Sequence, residues 1–211
     1  MAGGLKERTF IETQRRAQIV AAAIDTIAEL GYAQASLSRI AARAGTSKGV
    51  ICYHFAGKDD LFKALVAGVV AEAEAYMRPL ISAESTGRAM LRAYLQANLA
   101  FMRDHRNHLM AVAEIARNAR DADGNPPFDA SFVRSAAGVL QQLLAHFQAN
   151  GQFRADFDPM VMACAIRAAI DSVPARLARE PELDLTHYGQ ELADLFDRAT
   201  RPAGDDHDAD G

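Results

Sequence analysis

The chain has 211 residues, half of them hydrophobic, and a formal net charge of −4. That length holds one large or two small domains with a substantial core, which excludes a disordered chain. The longest apolar runs, such as Ile19 to Ile24 and Leu65 to Val70, fall far short of the ~20 residues that span a bilayer, so no membrane partner is expected.

The N-terminal stretch MAGGLKERTFIETQRR is charged where a secretory signal would be apolar, which predicts a cytoplasmic protein. Cys52 and Cys164 stand far apart and form no metal-type cluster, so both are expected as free thiols in a reducing compartment, with no metal and no cofactor. Charge is unevenly spread: residues 1–58 carry eight basic and four acidic side chains, and the remainder carries 15 basic and 23 acidic ones. A positive head on a negative body suits a chain of which one end meets phosphate.

Ala, Leu, Arg, Glu and Gln dominate, and apolar residues recur at spacings of three and four, so the whole chain reads as helical. Ile19, Val20, Ala23, Ile24, Ile27 and Ala28 form one stripe on a first helix from about Thr13 to Leu30, which Gly31 ends. Ser36 is a plausible N-cap for a short second helix to Ala44, stopped by Gly45, and Thr46 or Ser47 can cap a third to about Tyr53. A fourth helix, Asp59 to Arg78, repeats Leu61, Leu65, Val69, Ala73 and Met77 until Pro79. Further helices are expected at Thr86 to Arg103, Asn107 to Arg117, Asp129 to Asn150, Pro159 to Arg179 and Leu185 to Arg201. The run DADGNPP at 121–127 reads as a loop and the acidic tail at 202–211 as disordered. The fold class is therefore all-α, nine helices in two parts: a basic three-helix head at 1–58 and a larger helical domain at 59–201.

The segment SLSRIAARAGTSKGVICYHF, Ser36 to Phe55, carries the functional signal. Ala41 is small enough for a close helix crossing, Gly45 is free to take positive φ in the turn, and Ile51 can lock the second helix. That is the requirement of a helix-turn-helix, although an ordinary helical hairpin satisfies it as well. Thr46, Ser47, Lys48 and Gly49 then open a helix with free amides, hydroxyls and a cation, a combination suited to phosphate. Gly49 costs ~1 kcal/mol of helix propensity relative to Ala, which suggests that something must approach closely there. Tyr53, His54 and Lys58 add groups able to contact phosphate.

The stretch TSKGVICYHF, followed by Gly57-Lys58-Asp59-Asp60-Leu61-Phe62, resembles the third-helix signature of the TetR/AcrR family of bacterial regulators. The resemblance implies that Ser47, Lys48, Tyr53, His54 and Lys58 contact phosphates and that Thr46, Gly49 and Val50 face the major groove. It also implies a double-stranded DNA operator, a homodimer formed by the last two helices, and a small-molecule effector bound in the larger domain. Thr46 stands where the family usually has Val or Ile, and Cys52 where Tyr is common, so a tyrosine contact is in doubt there. Cys52 is read as a packing residue.

In the larger domain, polar groups on apolar helices are the natural ligand candidates. Asn98, Met102, Met110, Glu114, Arg167 and Asp171, with Phe101 and Phe147 as wall residues, make up that set. The plainer reading stands beside it: Arg167 and Asp171, four apart, can be an ion pair on one helix face, and the Phe and Met residues core. Two other classes stay open. An enzyme would have to use the His105/His108 pair, whose spacing suits a metal on a helix but which lies in a wholly polar run; a helical protein-interaction module would use the basic head without reading DNA.

Overall fold

A computed structural model describes residues 3–120, Gly124 and residues 130–202. The described residues form ten helices and no strand: α1 (Gly3–Leu30), α2 (Leu37–Arg43), α3 (Lys48–His54), α4 (Lys58–Ser82), α5 (Gly87–Asp104), α6 (Arg106–Asn118), α7 (Ala130–Ala149), α8 (Pro159–Asp171), α9 (Val173–Leu177) and α10 (Leu185–Thr200). Among these residues no helix is long and apolar enough to cross a membrane. The expected 121–127 loop, Gly124 apart, and the acidic tail beyond Pro202 lie outside the described residues.

Three helices differ from expectation for local reasons. α1 begins at Gly3 instead of about Thr13, because the lead-in before Ile19, exposed over residues 11–18, is rich in good helix formers and needs no apolar stripe. α4 runs through Pro79 to Ser82, since a proline near a helix end removes one ladder bond, and the Ala83 N–H still reaches the Pro79 carbonyl at 3.1 Å. The helix expected from Pro159 to Arg179 is interrupted at Ser172, two residues before Pro174, giving α8 and the short α9.

The chain divides into two compact units, with divisions inside α4 at Glu72/Ala73 and between His105 and Arg106. The first unit holds α1 to α3, the start of α4, and α6. Its core is built from Ile19, Ala23 and Ile27 of α1, Ile40 and Ala41 of α2, Ile51 of α3, and Leu61, Phe62 and Leu65 of α4, all buried. α6 joins this unit by burying Ala111 and Ile115, and the Asn107 amide donates to Asp25 of α1 at 3.0 Å. The compact units therefore divide α4 later than residue 58, where the sequence suggested a change of role.

The second unit pairs α10 with α5 and α7 with α8. Gly189 of α10 sits so close to α5 that a Cβ there would lie 3.2 Å from the Leu99 Cβ. Gly87, at the start of α5, lies beneath Phe147 of α7; a Cβ there would meet the ring at 2.5 Å. Between α5 and α10, Arg88 grips Asp197 side-on at 2.8 and 2.9 Å while Arg201 donates to the same carboxylate at 2.8 Å. This environment, led by the Arg88 hydrogen bond, holds the Asp197 carboxyl down at about 2.

Candidate functional site

The local geometry of residues 36–58 follows from caps and one turn. The Ser36 hydroxyl accepts from the Arg39 N–H at 3.3 Å, and the Ser47 hydroxyl accepts from the Val50 N–H at 3.3 Å, so each short helix has a conventional N-cap. Between them, Gly45 adopts φ +61° and donates to Ala42 O at 3.2 Å, while the Thr46 N–H reaches Ala41 O at 2.9 Å. These two bonds form a Schellman ending of α2 and turn the chain directly into α3. Gln18 of α1 donates to the Ala44 carbonyl at 3.3 Å, and Arg16 of α1 donates to the His54 carbonyl at 2.5 Å with its guanidinium 4.1 Å from the Phe55 ring centre. One helix thus fixes the ends of both others.

What this frame presents is the outer face of α3. Ile51 and Phe55 are buried, whereas Ser47, Lys48, Gly49, Cys52 and Tyr53 are exposed and Thr46, Val50 and His54 partly so. Tyr53 is 75% exposed, its ring edge meets His54, and its hydroxyl donates to Glu12 of α1 at 3.5 Å. Nothing beyond the Ser47 hydroxyl comes within 4 Å of a Cβ built on Gly49, so no neighbour in the chain explains that glycine. The helix start therefore offers a cation, a hydroxyl and backbone amides on a solvent-exposed face.

Two residues stand differently from their sequence reading. Cys52 is exposed on this face and does not pack: at one residue past buried Ile51 the helical rotation carries it outward. Lys58 is partly buried, donates to the Tyr32 carbonyl at 3.0 Å, and lies 4.2 Å from the Tyr32 ring centre. Burial lowers its pKa. Its first role is to tie the start of α4 to the turn after α1. Arg16 and Gln18 were missed by the sequence reading because they belong to α1; their only signal was polarity on the turn before the apolar stripe.

The residues proposed for a ligand fall into separate places. In the second unit, Tyr94 and Asn98 of α5 meet Arg167 and Asp171 of α8: Arg167 Nη1 donates to the Tyr94 hydroxyl at 3.0 Å and lies 3.5 Å from Asn98 Oδ1, while Nη2 donates to Asp171. The Asn98 amide also donates to the Tyr94 carbonyl at 2.7 Å. Phe101 lies further along α5, stacked on His105 and beside Tyr76. Phe147 packs at the start of α5 against Gly87 and Phe153. Met102 is half-buried near the end of α5. Met110 and Glu114 belong to α6 and to the first unit, where Glu114 accepts from the Tyr32 N–H at 3.2 Å and from Arg117 at 2.9 Å. Glu114 is thus a polar clasp between α6 and the end of α1. Of the eight, Asn98, Arg167 and Asp171 come together, joined by Tyr94, whose position four before Asn98 was the available signal.

The histidine pair is also accounted for residue by residue. His105 Nδ1 lies 3.0 Å from the Phe101 carbonyl, and His108 Nε2 lies 3.4 Å from Glu72. Among the described residues no group of three His, Cys, Asp or Glu side chains is placed to hold a metal.

Comparison with known proteins agrees with this geometry. Residues 19–65 match the family model described as bacterial regulatory proteins, tetR family. The chain is 31% identical over 171 residues to the HTH-type transcriptional repressor Rv1474c of Mycobacterium tuberculosis, covering 78% of this chain and 82% of that one. It is 36% identical over 89 residues to the HTH-type transcriptional regulator BetI of Stenotrophomonas maltophilia, a match spanning 42% of this chain and less than half, 45%, of that relative's length. Among solved structures, the fold is similar to the transcriptional regulator FadR of Bacillus subtilis in complex with stearoyl-CoA, with TM-score 0.73, 21% identity, and coverage of 85% and 96%. The matched residues run from Ile19 of α1 to Leu65 of α4 and so contain the whole of α2, the turn and α3, while Arg16 and Gln18 lie just before them. The chain belongs to the TetR family of bacterial regulatory proteins.

Proposed function

We propose that the protein is a cytoplasmic, ligand-responsive repressor, and not an enzyme, that binds a palindromic operator as a homodimer. The carrying observation is the exposed outer face of α3, where Ser47, Lys48, Gly49 and Tyr53 are open to solvent while Ile51 and Phe55 anchor the helix from behind. Lys48, Ser47, Tyr53 and His54 serve as phosphate contacts, and Thr46, Gly49 and Val50 approach the base edges. Lys58 keeps its bond to Tyr32 and offers its remaining donors to a flanking phosphate. Residues 1–58 read DNA, and residues 59–201 sense the effector and pair the protomers.

Dimerisation through the last long helices is supported by exposed apolar groups that a single chain leaves uncovered. Val161, Ala165 and Ala168 form an exposed stripe on α8, and Leu195 of α10 is 53% exposed. An effector is supported by the polar cluster of Asn98, Arg167 and Asp171 and by the ligand in the FadR structure. An effector that binds free protein more tightly than operator-bound protein lowers operator affinity and relieves repression. Selection from random duplexes tests this reading: enrichment of one inverted repeat supports it, and recovery of unenriched sequences refutes specific operator binding.

A further inference from the structure

Arg167 is a cation with an unfinished environment. Its side chain is 18% exposed, its Nη1 and Nη2 have acceptors, and its buried Nε–H has none. A buried donor without an acceptor is costly, and more so when it belongs to an ion. Ile166 and Ile170, its neighbours on α8, are buried and apolar and supply no acceptor.

The way Asp171 engages this group is informative. Nε and Nη2 form the side edge of a guanidinium, which a planar carboxylate bridges with two parallel bonds. Asp171 accepts from Nη2 alone, so the edge is half used. Its carboxylate is 48% exposed on the last turn of α8. Burial raises the Asp171 pKa despite the opposing effect of Arg167, so its charged form gains little from staying.

We infer that the Nε/Nη2 edge of Arg167, oriented by Tyr94 and Asn98, anchors the carboxylate of an acidic effector, with Asp171 as an internal stand-in that the ligand displaces. Tyr94 and Asn98 hold the opposite side of the guanidinium through Nη1, which leaves the side edge free to exchange one carboxylate for another. This inference rests on the reading of the second unit as an effector domain.

The test uses the full chain and acetate, the bare headgroup, with the Arg167 Nε–H resonance followed by NMR. Saturable movement of that resonance is expected in the parent protein, and Asp171→Ala, which removes the internal acceptor and frees the edge, should bind acetate about ten-fold more tightly. Acetamide, the neutral analogue, should not compete. Tyr94→Phe keeps the ring and loses the acceptor that orients Nη1, and should weaken acetate binding several-fold. The inference is overturned if acetate fails to saturate either protein, or if Asp171→Ala gains nothing. Operator binding on the same samples separates the two readings: acetate binding at unchanged operator affinity keeps the anion site and removes its role in sensing.

Discussion

Asp197 shows how one side chain can be assigned an energetic role. It is 8% exposed between two arginines, and the Arg88 bond above all holds its pKa at about 2, against an ordinary aspartate value of ~3.9. Because the folded-state value is depressed, this contribution is fully present above pH ~4 and is lost as pH falls toward the folded value. A difference of this size corresponds to about 2 kcal/mol. Asp197→Asn should therefore cost about that much at neutral pH in urea unfolding and flatten the decline in stability between pH ~4 and ~2. An unchanged acid limb would remove Asp197 as its source. Cys52 gives the complementary lesson: its residue type suggested packing, yet its place beside Ile51 on a seven-residue helix turns it to solvent.

At the scale of the element, what was legible in the sequence was what is determined locally. Ser36 and Ser47 cap and Gly45 turns because each bond spans five residues or fewer, so the helix-turn-helix could be read directly. The interruption at Ser172 lay in plain view as Pro174, but a continuous apolar pattern hid it. The ligand candidates fared worst, since which helix faces which is a long-range property. Glu114 clasps the end of α1, and Phe147 covers Gly87, and neither pairing has a sequence period. Gly87 is the sharper case, because its Cβ would clash with the ring at 2.5 Å. Gly87→Ala should destabilise the protein by about 1–3 kcal/mol by overpacking, despite the better helix propensity of alanine. Thermal unfolding checks it; a stabilised variant would show that Phe147 can move aside at little cost.

For the whole molecule, the family and the all-helical class were legible in the sequence, whereas the division into compact units was not. α6 is distant from α1 in the chain, yet Ala111, Ile115, Asn107 and Glu114 bind it there. Assembly is the next level. In the dimer proposed above, a charge placed on the exposed α8 stripe, as in Val161→Asp, should shift sedimentation toward the monomer and weaken operator binding, while leaving the helical content of the chain unchanged. A variant that stays dimeric would move the interface elsewhere.

The outer face of α3 is proposed to meet the phosphates of duplex DNA, and the salt dependence of operator affinity reads out that contact. Lys48→Ala should weaken binding across sequences and lower the slope of log affinity against log salt by about one. An unchanged slope and affinity would remove Lys48 from the interface and contradict this account of α3.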